Sequence, residues 1–253
     1  MANVRFGSRL FDAELVIFDK DGTLTDFATS WVPIFDIRID LIIGKAGLPG
    51  LRDTLRREFG QAFGIDGAKV DPFGPYPYTA PWEDEVIFST VLYRHGTPWH
   101  EAKAAAHAGI EEAERLFDRT RSTKLYPGVK ETVLRLKERG LLVSVATADI
   151  LPITGPTLKN LGLYEAFDFI VCADMVQNEK PHPEMVEKTL EALGVGRERA
   201  AMVGDSVVDM EMGKRAGLGL VVGVLESGIA DEKILSKNAD VVIGSVRDIT
   251  VEG

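Results

Sequence analysis

The chain has 253 residues and a formal net charge of −10 at pH 7, and it is 45% hydrophobic and 27% charged, an ordinary balance for a globular protein. The acidic charge argues against nucleic acid as a partner, because a phosphate backbone requires a basic surface, but a small phosphorylated ligand remains possible. No apolar stretch approaches 18 residues and no signal peptide is evident, so we expect no membrane span. The single cysteine, Cys172, favours a reducing compartment, and we expect the cytoplasm.

The first predicted strand is the apolar run Leu15–Phe18, which is followed by Asp19, Asp21 and a turn at Gly22. Such a run is typical of a buried parallel strand, and the carboxyl end of such a strand is where open α/β sheets carry out chemistry. Two carboxylates one residue apart repel each other unless a cation or a proton relieves the repulsion. The segment therefore predicts a metal site, although two solvated aspartates in an ordinary turn would have the same pattern.

Residues 27–122 show helical spacing and lack β-rich runs, with helices predicted near 31–46, 51–63, 84–95 and 99–121. A stretch rich in proline and aromatic residues, 71–82, predicts an irregular and stiff loop between the second and third of these helices. We therefore expect a helical domain inserted after the first strand, with domain boundaries at 1–24 and 124–253 for the core and 25–123 for the insert.

From about residue 125, short β-rich runs alternate with helical stretches. Strands are predicted at 141–146, 167–172, 200–203, 218–224 and 240–243, and helices near 128–139, 153–161, 183–193 and 207–216. This alternation indicates βαβ units. The predicted fold class is α/β, with a Rossmann-like, doubly wound parallel sheet and an inserted α-helical domain.

Polar segments follow several predicted strands, or lie in the loop before a helix. They are Asp19-Lys20-Asp21-Gly22-Thr23, Thr147-Ala148-Asp149, Lys180-Pro181-His182-Pro183 and Gly204-Asp205-Ser206-Val207-Val208-Asp209. In this order they resemble the motifs of the haloacid dehalogenase superfamily, in the subtype with a helical cap inserted after the first strand. That subtype includes phosphoglycolate-phosphatase-like and β-phosphoglucomutase-like enzymes. Each motif alone is weak, but the four together span residues 19–209 and form a specific pattern.

The resemblance implies that Asp19 is the nucleophile and forms an aspartyl-phosphate, and that Asp21 acts as general acid and base. It also implies Mg²⁺ held by Asp19, by the backbone carbonyl of Asp21 and by Asp205. Asp209 would contribute a further or water-mediated contact, although a favourable anion in the first turn of a helix would explain Asp209 equally well.

The resemblance further implies that Gly22, Thr147, Ala148 and Lys180 bind the phosphate of the substrate, with Thr147 and Lys180 also acting in catalysis. The hydroxyl of Thr147 and the backbone N–H of Ala148 would donate hydrogen bonds, and Lys180 would supply positive charge. Taken without the resemblance, Thr147 is a β-former at a strand end and Lys180 a solvated surface lysine.

Two residues depart from the common pattern of the superfamily. Lys20 stands where relatives more often carry an apolar residue, and by strand alternation we expect its side chain to point away from its neighbours and from the metal site. Asp149 adds a negative charge near the predicted phosphate site, and we expect it to turn outward and cap a helix.

The function expected from the resemblance is hydrolysis of a small phosphorylated metabolite by a monomer or homodimer. A phosphomutase would keep every motif, and a non-catalytic phospho-accepting or binding module is a third alternative. The substrate stays open. A group of basic residues in the insert could bind a second anionic group of the substrate or could be solvated: Arg38, Lys45, Arg52, Arg56 and Arg57.

Overall fold

The structure is a computed structural model that describes residues 2–67 and 69–252. It divides into two compact units. One consists of Met1–Phe27 and Thr123–Gly253 and is called the α/β unit; the other consists of Ala28–Ser122 and is called the helical unit.

Most strands of the described residues belong to the α/β unit. In chain order, the strands are β1 (Ala2–Phe6), β2 (Arg9–Ala13), β3 (Leu15–Phe18), β4 (Ile65–Asp66), β5 (Lys69–Val70), β6 (Leu142–Thr147), β7 (Phe169–Cys172), β8 (Ala200–Gly204), β9 (Leu220–Val224), β10 (Val241–Ile243) and β11 (Ile249–Val251).

The helices are numbered in the same way. They are α1 (Phe27–Lys45), α2 (Arg52–Phe63), α3 (Pro81–Arg94), α4 (Trp99–Leu116), α5 (Arg119–Ser122), α6 (Val129–Glu138), α7 (Leu151–Asn160), α8 (Glu184–Leu193), α9 (Val207–Arg215) and α10 (Glu232–Leu235). The strands and helices predicted after residue 125 begin and end within two residues of the observed ones. Within the described residues, none of the helices is both long enough and apolar enough to span a membrane.

The α/β unit is built on a six-stranded parallel sheet with the order β10-β9-β8-β3-β6-β7. The chain runs from β3 through β6 to the edge strand β7 and then returns to β8 on the other side of β3, so the order reverses between β3 and β8. Open α/β sheets bind ligands outside the carboxyl ends of the strands at such a reversal. The predicted fold class is confirmed.

Both faces of this sheet are covered, which explains why all four residues of β3 are buried. Val16 and Val145 point to a core that also contains Val133 of α6 and residues of β1 and β11. On the other face, Val221 packs against Met210 of α9, together with residues of α10. The carboxyl edge is therefore the part of β3 where polar side chains can be placed.

Two small sheets are absent from the sequence prediction. The strands β1, β2 and β11 form an antiparallel sheet, in which Phe6 pairs with Arg9 around a tight turn. In the helical unit β4 pairs with β5, a two-stranded hairpin that the prediction of a helical insert did not include. These short strands mix polar and apolar residues, so they lack the continuous apolar runs by which the buried strands are predicted.

The helical unit has an aromatic core in which Phe35, Phe63, Phe88 and Tyr76 lie with ring centroids 4.6–6.1 Å apart. As the proline-rich sequence predicts, residues 71–80 form neither helix nor strand. Aromatic rings dominate core energetics because each buries a large area.

Beside this core lies a buried cluster of charged side chains around Arg38, which is only 1% exposed. Its guanidinium donates to Asp84 at 2.9 Å and to Glu114 at 2.7 Å, and Glu114 also accepts from Arg119 at 3.3 Å. Burial raises the pKa of Asp84 to about 6 even though Arg38 acts to lower it, so the ion pair does not fully offset the cost of burying the carboxylate.

The basic residues considered as substrate ligands thus have different surroundings. The interpretation of Arg38 as solvated is wrong, because it is buried and ion-paired. Lys45, Arg52 and Arg56 form ion pairs with Glu112, with Asp40, and with Asp36 and Asp40, respectively. The side chain of Arg57 is exposed and makes no hydrogen bond or ion pair with any residue in the described parts of the chain, and Arg57 lines a cavity of about 940 Å³ within the helical unit.

Arg38→Met should destabilise the helical unit by about 3–5 kcal/mol, because it removes the ion-pair partner of the buried carboxylate of Asp84. All three tryptophans of the chain lie between residues 28 and 122, so urea unfolding followed by tryptophan fluorescence measures this unit.

Arg52→Met is the matched control, since it removes an exposed ion pair and should cost about 1 kcal/mol or less. Adding Asp84→Leu to Arg38→Met should recover much of the loss, because no buried carboxylate is then left unpaired. Equal effects of Arg38→Met and Arg52→Met would contradict this account.

Candidate active site

The ends of three adjacent strands bring the polar motifs together. Asp19 follows β3, Asp205 follows β8, and Thr147 is the last residue of β6. Phe18 is in register with Val203 of β8 and with Val145 of β6, and the backbone N–H of Asp19 donates to the carbonyl of Val203 at 2.9 Å. The parallel register thus places these side chains on one edge, at the reversal of the strand order.

Three buried carboxylates form the centre of this edge. Oxygens of Asp19, Asp205 and Asp209 lie within 4.8 Å of one another. The ammonium of Lys180 is 2.6 Å from Oδ1 of Asp19 and 2.7 Å from Oδ1 of Asp209. The structure thus brings together four of the residues predicted for the site.

Asp209 is held in place by the beginning of α9. Its Oδ2 accepts hydrogen bonds from the backbone N–H and the hydroxyl of Ser206, while Oδ1 accepts from Lys180. The hydroxyl of Ser206 in turn accepts from the backbone N–H of Asp209, which completes a capping box. Asp209 is therefore a first-turn anion and also a member of the carboxylate cluster, so the two interpretations of this residue are compatible.

Electrostatics at the cluster favour a cation. Burial raises the pKa of Asp19 to about 7, with the ammonium of Lys180 offsetting only part of the rise. Burial, together with the charges of Asp19 and Asp209, raises the pKa of Asp205 well above its usual range. Burial alone would lower the pKa of Lys180, but the negative charges of Asp19 and Asp209 outweigh the effect of burial and raise this pKa. The ammonium of Lys180 therefore stays charged.

The donor set fits Mg²⁺. The cluster offers three carboxylates and one ammonium, which leaves surplus negative charge where water is largely excluded. A divalent cation would neutralise this surplus, and hard oxygen ligands are those that Mg²⁺ prefers.

Gly22 brings the first motif close to Asp205. It adopts a φ of +91°, and a Cβ at this position would lie 2.2 Å from Oδ2 of Asp205. Its backbone N–H donates to the carbonyl of Thr25 at 2.7 Å, so that N–H is used within the turn itself. The structure therefore gives a steric reason for a glycine at position 22, because only a residue without a Cβ lets the backbone approach Asp205 this closely.

Thr147 is buried, and its hydroxyl oxygen accepts a hydrogen bond from the backbone N–H of Asp149 at 3.1 Å. Because this bond uses the hydroxyl as an acceptor, the O–H proton is free to be donated to another group. Ala148 follows directly and is half-buried, beyond the end of β6.

The expectations that the side chain of Lys20 points away from its neighbours and that Asp149 turns outward are wrong. Lys20 is buried, and its ammonium lies 2.6 Å from Oδ2 of Asp21 and 3.0 Å from Oδ2 of Asp149. Asp149 does not turn outward, since it is buried and its Oδ1 accepts from the backbone N–H of Ile150. The alternation used for Lys20 does not apply, because β3 ends at Phe18 and the chain then enters a turn.

Sequence reasoning also missed several supporting residues. Thr23 donates to Asp205 at 3.4 Å, Ser227 is hydrogen-bonded to Asp205, and Thr25 donates to Oδ1 of Asp21 at 2.9 Å. The capping residue Ser206 could have been found from its spacing to Asp209, since a serine three residues before an acidic residue at a helix start is the capping-box pattern. Ser227 carries no comparable signal.

Comparisons with known proteins show the family to which the chain is related. A model of the family described as haloacid dehalogenase-like hydrolase matches residues 13–217. The phosphoglycolate phosphatase of Shigella boydii is 30% identical over 244 residues, which cover 94% of this chain and 91% of that protein. A Dickeya dadantii protein named probable phosphatase IndB is 28% identical over 236 residues, covering 93% and 91%. A solved structure described as a predicted phosphoglycolate phosphatase from Haemophilus somnus has a TM-score of 0.67 at 20% identity, covering 94% of this chain and 96% of its own; this likeness shows the fold alone.

Gly22→Ala should weaken Mg²⁺ binding about tenfold or more, because the new methyl group displaces the carboxylate of Asp205. Isothermal titration with Mg²⁺ measures this directly. Gly140→Ala is the matched control: Gly140 also has a positive φ, of +78°, but its added Cβ would meet no atom within 4 Å. Gly140→Ala should lose about 1 kcal/mol of unfolding free energy to backbone strain, and Gly22→Ala should lose more, because its methyl group also overlaps Asp205. Mg²⁺ affinity that is unchanged in Gly22→Ala would exclude the steric role.

Proposed function

Because the chain belongs to the haloacid dehalogenase-like hydrolases, we propose that it is a Mg²⁺-dependent phosphatase that hydrolyses a small phosphate monoester through an aspartyl-phosphate. The observation that carries the proposal is the contact of Lys180 with Asp19, at 2.6 Å, at the reversal point of the sheet. A carboxylate beside a fixed ammonium can attack a phosphoryl group whose charge that ammonium helps to stabilise.

In the first step, a carboxylate oxygen of Asp19 attacks phosphorus, and the bond from phosphorus to the ester oxygen breaks. Asp21, two residues along the chain, gives its proton to the departing oxygen, so that an alcohol leaves. The hydroxyl of Thr147 and the backbone N–H of Ala148 would donate to phosphoryl oxygens, and Lys180 would balance their negative charge.

In the second step, water attacks the phosphorus of the aspartyl-phosphate, and Asp21 takes a proton from that water. The bond between phosphorus and the Asp19 oxygen breaks, which regenerates the carboxylate and releases inorganic phosphate. The two steps use the same acid and base in opposite directions, so one carboxyl group serves both.

Mg²⁺ would be held by the carboxylates of Asp19 and Asp205 and the backbone carbonyl of Asp21, with Asp209 as a further or water-mediated contact. When bound, it supplies positive charge that binds and polarises phosphoryl oxygens. The surplus negative charge of the buried cluster supports this assignment.

The relatives support a proposal for the class of substrate. Shigella boydii phosphoglycolate phosphatase matches over nearly the whole chain, so we propose a small phosphorylated metabolite of that kind as the substrate. A phosphomutase would use the same residues. A panel of phosphate monoesters, assayed with Mg²⁺ for released inorganic phosphate, distinguishes a phosphatase from a phosphomutase. A phosphatase releases phosphate, whereas a mutase returns an isomer of the ester.

Asp19→Asn should abolish turnover while the protein stays folded, because an amide does not attack phosphorus. Asp12→Asn, on the exposed face of β2, is the control and should keep wild-type kcat. The assay is phosphate release from the best ester of the panel, with thermal unfolding as the test of folding. If Asp19→Asn kept a tenth of wild-type kcat, a difference of about 1.4 kcal/mol in barrier, Asp19 would not be the nucleophile.

Removal of the metal with EDTA should abolish the phosphatase activity, and addition of Mg²⁺ should restore that activity. Calorimetric titration with Mg²⁺ should show a larger loss of affinity in Asp205→Asn than in Asp209→Asn, since Asp209 is already bound by Lys180 and Ser206. Full activity in metal-free buffer, or a larger effect of Asp209→Asn, would refute this assignment of ligands.

A further inference from the structure

A buried lysine stands between the two aspartates of the first motif. Lys20 is 2% exposed, and its ammonium lies between Oδ2 of Asp21, at 2.6 Å, and Oδ2 of Asp149, at 3.0 Å. A buried ammonium is stable only when it is paired, so the two carboxylates explain why the protein tolerates it. The pairing also acts in the other direction, because the lysine fixes the positions of both carboxylates.

Asp21 is held from two sides. Lys20 contacts its Oδ2, and the hydroxyl of Thr25 donates to its Oδ1 at 2.9 Å. Thr25 is itself fixed, because its backbone N–H donates to the carbonyl of Lys20 and its carbonyl accepts from Gly22. Both oxygens of the predicted acid and base thus have a partner on a rigid turn.

Asp149 anchors the lysine and connects it to the predicted phosphate site. Its Oδ2 faces Lys20, its Oδ1 accepts from the backbone N–H of Ile150 at 2.9 Å, and its own N–H donates to the hydroxyl of Thr147 at 3.1 Å. A continuous set of polar contacts therefore runs from Asp21 through Lys20 and Asp149 to Thr147. A catalytic group must be held within a fraction of an ångström to transfer a proton efficiently.

We propose that Lys20, anchored by Asp149, is a positioning residue that sets the carboxyl group of Asp21 in place for proton transfer to the leaving oxygen. The inference rests on the proposed function, since it requires Asp21 to be the acid and base. It differs from a merely structural role, in which the pair of Lys20 and Asp149 would only join the ends of β3 and β6.

The test uses the leaving group to separate the two roles. The oxygen of p-nitrophenyl phosphate departs as an anion without protonation, whereas an alkyl phosphate needs the proton of the acid. Loss of the position of Asp21 should therefore slow transfer from the alkyl ester and spare transfer from the aryl ester. General acid catalysis contributes about 10²–10⁴-fold, which sets the range of the effect.

The variant is Lys20→Met with Asp149→Asn, which removes the buried ammonium together with the charge of the carboxylate that anchors it and leaves Asp21 with only the hydrogen bond from Thr25. The first-turnover burst of p-nitrophenolate should stay within about twofold of wild type. The single-turnover rate on the alkyl phosphate that the wild type hydrolyses fastest should fall about tenfold or more. Calorimetric Mg²⁺ affinity should not change. Equal losses on both esters, or no loss on the alkyl ester, would overturn the inference.

Two controls keep the outcome interpretable. Wild type and Asp19→Asn are assayed first: an inactive wild type or an active Asp19→Asn would refute the proposed function, whatever Lys20 does. Thermal unfolding shows whether the double variant folds. If it does not fold, the single variant Asp149→Asn is used instead, because it removes the charge that anchors Lys20. This variant should also lose rate selectively on the alkyl ester, but by a smaller factor. A uniform loss in that variant would equally overturn the inference.

Discussion

The surplus of negative charge at the carboxyl edge of the sheet is the constraint on which the rest of the site depends. Lys180 contacts Asp19 and Asp209, but the third carboxylate of the cluster, Asp205, makes no ion pair with a described residue, and burial raises its pKa. Burying such a group without compensation costs several kcal/mol. The fold therefore concentrates negative charge at one point, where a divalent cation and a fixed ammonium can balance it. The same positive charges can stabilise the oxygens of a phosphoryl group during its transfer.

Close backbone packing makes this concentration of charge possible. Gly22 and Gly204 both lie where a Cβ would overlap a carboxylate side chain, at 2.2 Å from Asp205 and 2.5 Å from Asp209, respectively. The beginning of α9 then supplies the N–H and hydroxyl of Ser206 to hold Asp209. Parallel register, two glycines and one helix cap are enough to bring together side chains that are nearly 190 residues apart in the chain.

Most of the α/β unit could be predicted because its strands are buried on both faces and alternate with amphipathic helices, a pattern that depends on local sequence. The positions of Asp19, Thr147 and Asp205 at strand ends followed from the same pattern. Contacts that depend on tertiary packing could not be predicted this way. The side chain of Lys20 reaches Asp149, 129 residues away, and no local pattern distinguishes this lysine from a solvated one. The strands β1, β2 and β11 could not be predicted this way because polar residues interrupt their apolar ones, whereas a strand buried on both faces forms a continuous apolar run.

Two groups of charged side chains among the described residues differ in how their carboxylates are paired. In the helical unit, Arg38 contacts Asp84 and Glu114, and Arg119 also contacts Glu114. At the sheet edge, Lys20 and Lys180 face five carboxylates: Asp19, Asp21, Asp149, Asp205 and Asp209. In the helical unit both of these carboxylates are paired with an arginine, so packing is enough to explain the contacts. At the sheet edge the carboxylates outnumber the cations, and this surplus supports the proposal that the edge of β3 and β8 binds the ligand.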